Sequence, residues 1–274
     1  PAETANAEAI SMERKFSQMH DFLMKELKLM HFPVGMTLLY SEEDANQFKK
    51  THECYAPVKP LTLCQAELGA RMEGLNILLE MKKLWCKSAR IGFGVKDIEA
   101  ADIAALHVRF CESEEQAETV LRSKPRLTGK PPVAIALMPL GRCTALPQVV
   151  HFCCDNMQAY HLLNDWMVVA RVHPLRPNLC VNSALCGGTV FTMIEQQANL
   201  TLACAGNYNS GKMERGEINV MIPGKDIEKL VDRMVRRKEA RGGVSLTKLG
   251  NPFPGIDVCQ NCPLISFRKI AQEP

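Results

Sequence analysis

The sequence predicts a mixed α/β (α+β) fold: two pseudo-symmetric halves, related by internal duplication, forming one unit. Three observations carry this expectation. Apolar segments of strand length alternate with segments of helical period. Two strand-like segments open on the same Pro-Val pair, Pro33-Val34 and Pro132-Val133. Two longer stretches resemble one another; each starts Leu-Cys and is bounded by cysteines, Cys64 and Cys86 in the first, Cys180 and Cys204 in the second.

Each element follows from its local pattern. Between Ala9 and Leu29, the residues Ile10, Met12, Phe16, Met19, Phe22, Leu23 and Leu27 fall mostly at helical spacing, predicting an amphipathic helix. Pro33 to Tyr40 reads as a strand, and Ser41-Glu-Glu-Asp44 as a helix N-cap with acids in the first turn, giving a βα unit. Thr62 to Lys83 reads as one long helix with Cys64 at its start and Cys86 just past its end. Short helices are expected over 98–106 and 113–122, the second opened by a Ser113-Glu-Glu-Gln116 capping box, with a strand over His107–Cys111 between them. Val133–Leu137 and Gln148–Cys154 read as buried strands. Asn156 is the expected cap of a helix over Met157–Ala170. Gly188 to Ala203 repeats the cysteine-bounded helical pattern, and Cys204–Gly211 reads as a loop. Glu217–Ile222 alternates as a strand, and a helix follows from Pro223 to about Glu239. The expected boundaries are therefore 1–124 for the first half, 125–240 for the second and 241–274 for a tail.

Composition narrows the function classes. In 274 residues, 46% are hydrophobic, enough for a sizeable core. A formal charge of +3, with acids and bases interspersed outside Arg233–Arg241, leaves no footprint for nucleic acid. No stretch reaches the roughly 18 apolar residues of a membrane span. The polar, acidic N-terminus does not read as an intact signal peptide, and the expected location is cytoplasmic. Twelve cysteines are many for a chain too core-rich to need disulfide staples. In a reducing compartment they are buried small hydrophobes, metal ligands or redox groups. Fourteen methionines suggest surroundings with little oxidant.

Two halves related by a two-fold axis could bring Cys64, Cys86, Cys180 and Cys204 to one point, and four converging thiolates suit a 4Fe-4S cluster. Cys64 and Cys180 sit where a helix begins, where unpaired N–H groups favour thiolate. Cys86 and Cys204 meet glycine-containing segments, whose backbone can approach sulfide. Packing is the competing reading of any one cysteine, and the first reading of Cys54, Cys111, Cys143, Cys153, Cys154 and Cys186. Cys259-x-x-Cys262-Pro263 is a separate pair that could clamp a second metal centre, form a redox disulfide or remain as free thiols. His151, His161, His173 and the His52/Cys54 pair are less telling, as are Arg71, Glu73 and Arg90, which salt bridges explain equally well. No phosphate-loop, nucleophile-elbow or kinase motif is present.

Several short motifs resemble the domain-of-unknown-function family 169, found mainly in anaerobic bacteria and archaea. They are Pro33–Thr37, Leu63-Cys64 with Ala66, Gly69 and Gly74, Cys86, Pro147–Val150, Asn156–Gln158, Cys180, and Cys204–Asn207 followed by Glu217 and Pro223. The resemblance spans about residues 30–235. It implies the fold and the cysteine positions, and it supplies no reaction. Members usually carry an arginine where this chain has Tyr208, so the ligand environment there differs.

The first functional expectation is an iron–sulfur protein of anaerobic metabolism, related to redox or electron transfer and working with a redox partner protein or as a homo-oligomer. A non-enzymatic small-ligand-binding protein is the second. The third is a thiol redox or metal-handling protein using Cys259 and Cys262.

Overall fold

A computed structural model describes residues 2–241, and the side chains of 9–240. Cys259 and Cys262 lie outside the described residues. The chain opens with helix α1 (Ala2–Leu27), longer at its start than the apolar period alone indicates. Its buried stripe is Phe16, Met19, Leu23 and Leu27, while Ile10 is exposed. Strand β1 (Val34–Leu39) leads into α2 (Glu42–Thr51), where the Ser41 hydroxyl accepts from the Asp44 N–H at 3.0 Å.

The first cysteine-bounded stretch is not one helix. It folds as α3 (Leu63–Glu73), then β2 (Ile77–Glu80), a 3₁₀ turn (Met81–Lys83) and α4 (Lys87–Gly92). Gly74 takes φ 66° and stops α3, its N–H bonding the Gly69 carbonyl. Next come α5 (Ala100–Phe110) and α6 (Glu114–Arg122). The strand expected at His107–Cys111 is instead the last turn of α5 with its cap. Val108 and Phe110 face solvent there, and the segment packs on α6 through Leu106, Ala117 and Leu121 rather than on a sheet.

Strands β3 (Ala134–Pro139) and β4 (Val149–Cys154) follow, then α7 (Asn156–Ala170). Asp155, not Asn156, caps α7, in a reciprocal box with Gln158. The second stretch repeats the helix-then-strand form: α8 (Leu185–Glu195) ends at Gln196 with φ 52°, and β5 (Asn199–Leu202) returns. The loop expected after Cys204 begins with a short helix, α9 (Ala205–Asn209). Strand β6 (Ile218–Pro223) and α10 (Ile227–Arg241) complete the described chain.

The strands form one six-stranded sheet in the order β2-β3-β1-β4-β6-β5. Every neighbouring pair is antiparallel, which fits an α+β rather than a parallel, crossover-built arrangement. On each side of the central β1/β4 seam the chain lays down the inner strand first, the edge strand second and the middle strand third. β3, with which the sequence reading opens its second half, lies between β1 and β2. The seam itself pairs Val34 with His151, Gly35 with Val150 and Met36 with Val149.

Strand alternation assigns residues to faces. Val150, Phe152, Cys154, Val220 and Ile222 pack under α1, α7 and α10, around the fully buried Trp166. Val34, Met36, Leu38, Ile135, Leu137 and Val149 point the other way, under α3, α4 and α8. It is this second face that carries Cys64, Cys86 and Cys186.

Candidate metal centre

Helix out and strand back is what brings the cysteines of each stretch to one end. In the first, Cys64 is the second residue of α3, and Cys86 is the N-cap of α4 after β2 has returned. The Trp85 N–H bonds the Leu61 carbonyl at 2.8 Å, tying the two ends together. In the second, Cys186 is the second residue of α8 and Cys204 the N-cap of α9. The positional counterpart of Leu63-Cys64 is thus Leu185-Cys186, not Leu179-Cys180.

These four thiols form two neighbouring pairs, Cys86 with Cys186 and Cys64 with Cys204. Cys86 and Cys186 face each other at hydrogen-bonding range. Cys64 feels the charges of Cys204 and Cys86. Asn207 links the other two, its amide nitrogen donating to Cys64 Sγ at 3.7 Å while its oxygen accepts from Cys204 Sγ at 3.7 Å. Cys180 stands aside. Its thiol donates to Asn178 Oδ1 at 2.9 Å, and it meets the group through the charge of Lys124 and through Gly187, where an added Cβ would lie 3.7 Å from its own. Gly211 gives the backbone its approach to Cys64; a Cβ there would come within 2.9 Å of the Asn207 carbonyl and 3.2 Å of Cys64 Cβ.

The electrostatics are those of crowded anions. The Cys86 thiol is lowered to about 6, first by the hydrogen bond from Cys186, against the opposing effect of burial, and then by the Ala89 and Ser88 N–H groups and Lys124. Cys186 is pushed up by the same hydrogen bond and by burial, so Cys86 is the thiolate and Cys186 the thiol of the pair. Cys64 is raised by burial, then by Cys204, Cys86 and Glu67. Lys124, 8% exposed, places its Nζ in the interior without a hydrogen-bond partner. Burial lowers it, while Cys186, Cys180, Cys86 and Cys204 pull it back up. A buried, unpaired ammonium beside these cysteines is a counter-charge for an anionic group.

The model of the domain-of-unknown-function family 169, described as uncharacterised ArCR, matches residues 22–233. The chain belongs to this family. No curated protein and no solved structure matches it. Within this family 169 chain the matched region holds all five of these cysteines and Lys124, and leaves the tail pair outside.

A second polar system lies deeper on the same face of the family 169 sheet. Glu67, one turn after Cys64, accepts from Arg71 Nε at 3.1 Å and faces His151 Nδ1 at 3.0 Å. His151 Nε2 then donates to Asn219 Oδ1 at 3.0 Å, and Arg71 Nη2 donates to the Gly211 carbonyl. All four side chains are essentially inaccessible. Past them sit Cys153, Glu217 and His31, with His31 Nε2 2.7 Å from Glu217 Oε1. Sequence reasoning read Cys186 as packing, quoted Asn207 only within a loop and the family motif, and gave Lys124 no role. The Leu-Cys repeat at 185–186 and the Gly-Asn after Cys204 were the available signals.

Proposed function

We propose that this chain is an iron–sulfur protein whose cluster is held by Cys64, Cys86, Cys186 and Cys204, with a redox or electron-transfer role. The observation that carries this reading is the meeting of four thiols from equivalent positions, two from each side of the β1/β4 seam, beside an unpaired buried Lys124. Cys180, expected from sequence to be the third ligand, is held by Asn178 and becomes a neighbour of the cluster. Among the described residues, no three of these thiols have sulfurs all within 4.8 Å of one another. In a cubane cluster each thiolate takes a different iron, so the sulfurs need not crowd around one point. Two exposed apolar residues lie close to the ligands in sequence, Trp85 one residue before Cys86 and Leu202 two before Cys204, so a partner protein could approach closely.

The test is anaerobic purification and reconstitution followed by iron, sulfide and visible absorption measurements. The expected result is about four irons and four sulfides per chain, lost in Cys64→Ser and Cys186→Ser and kept in Cys180→Ser. Protein that stays colourless and iron-free after reconstitution would refute the reading. Retention in Cys186→Ser with loss in Cys180→Ser would return the ligand role to Cys180.

A second reading has one observation of its own. Cys86 as thiolate against Cys186 as thiol is also the arrangement of a dithiol redox pair. It predicts that an added disulfide oxidant such as oxidised glutathione, itself reduced to two thiols, converts these two residues to a disulfide in the iron-free protein, reversibly by dithiothreitol. The tail pair Cys259/Cys262, as a further metal or redox site, belongs to the same alternative.

A further inference from the structure

We infer that His31, Cys153 and Glu217 form a binding site for one zinc ion, separate from the cysteine centre. The three residues come from distant parts of the chain: His31 just before β1, Cys153 in β4 and Glu217 just before β6. Their ligand atoms all lie within 4.8 Å of one another. Cys153 is 3% exposed, yet the apolar clusters on both faces of the sheet leave it out. Burial is the main influence on its thiol and pushes it up; Arg71, Glu67 and Glu217 act on it as well, and Glu217 is its hydrogen-bond partner.

The carboxylate is already oriented. One Glu217 oxygen accepts from the Glu214 N–H at 2.7 Å, which turns the other toward His31. Cys153 is fixed by β4, paired on one side with β1 and on the other with β6, where it stands opposite Asn219. Arg71 supplies a supporting charge: it acts on Cys153 through its guanidinium, whose Nη1 is buried without a hydrogen-bond partner. One imidazole nitrogen, one carboxylate oxygen and one thiolate form a mixed donor set that suits zinc, a borderline-soft ion, better than magnesium or calcium, which take oxygen alone. The His31 and Glu217 side chains are 13% and 16% exposed, so the fourth tetrahedral position faces solvent and takes water. On binding, zinc replaces the thiol proton of Cys153, which leaves to solvent, and takes the His31 Nε2 lone pair, the imidazole proton moving to Nδ1.

The test uses the full chain, stripped of metal by chelator, titrated with zinc and then with cobalt as a spectroscopic stand-in. Other thiols of the chain bind these ions too, so the readout is the difference between variants. His31→Gln and Cys153→Ser should each bind one zinc fewer than the parent. Cys153→Ser should also lose one thiolate's share of the cobalt charge-transfer absorption, whereas Cys54→Ser should leave both unchanged. Equal zinc stoichiometry in parent and His31→Gln overturns the site. Because His31 is partly exposed, its variant keeps the test decisive even where Cys153→Ser fails to fold.

Discussion

Cys86 shows how one residue's chemistry is set by its neighbours. At the N-cap of α4 its thiol is lowered first by the proton donor Cys186 and then by the nearby Ala89 and Ser88 N–H groups. It also borders a cavity of about 240 Å³ with Ser88 and Ile91, through which a small reagent reaches it. In iron-free protein, a group lowered to about 6 is protonated below that pH and thiolate above it. Alkylation of Cys86 by iodoacetamide, followed by peptide mass spectrometry from pH 5 to 9, should therefore rise through about 6 and level off by neutrality. In Cys186→Ala the midpoint should move up toward the ordinary cysteine range of about 8.5. A parent profile that rises only near that ordinary range would contradict the assigned hydrogen bond. The thiolate position could be read from sequence only in part. Cys86 was visible as a candidate ligand, but its partner Cys186 was read as packing, because burial is where an isolated cysteine is expected.

The element scale explains why the cysteine stretches were recognised but their internal form was not. Ile77-Leu78-Leu79 is a short continuous apolar run, and such a run fits a helix or a buried strand equally well. Gly74 held the decisive signal, since a left-handed C-cap both ends α3 and turns the chain back into β2. In the second stretch the same turn is made by Gln196, a residue that gives no such warning. Strands β1, β3, β4 and β6 were legible as short apolar runs, whereas β2 and β5 were absorbed into the helical reading of the cysteine stretches; the order of strands in the sheet was not legible, because pairing is decided by packing across the chain. Gly74→Ala must carry a side chain at φ 66° and place its Cβ 3.2 Å from Phe32 Cε2. The expected cost is about 1 kcal/mol, measured as a lower urea midpoint with unchanged slope. An unchanged midpoint would mean that another residue terminates the helix.

At the scale of the molecule, the buried chain Glu67, Arg71, His151 and Asn219 ties the two sides of the sheet together. Glu67 and Arg71 belong to α3, on the first side; His151, Asn219 and the Gly211 carbonyl belong to the second. Removing Arg71 leaves the buried Glu67 carboxyl without its ion-pair partner. Arg71→Met, which keeps the volume and removes the charge, should cost about 3–5 kcal/mol. Chemical denaturation of the iron-free protein checks this, and a loss below about 1 kcal/mol would mean that water already reaches the group. None of these residues stood out in the sequence as a set, since Arg71 and Glu67 look like an ordinary helical pair and His151 like any strand histidine.

The β1/β4 seam gives the centre a mechanical meaning. Three residue pairs join the sides there, against six between β1 and β3 and six between β4 and β6. Each stretch supplies two of the four thiols, and the close pairs, Cys86 with Cys186 and Cys64 with Cys204, both run from one side of this short ladder to the other. A cluster bonded to both sides would rivet the molecule across its narrowest join. Loading would then register as slower global unfolding, and losing iron would free the halves to part along that line before either one melts.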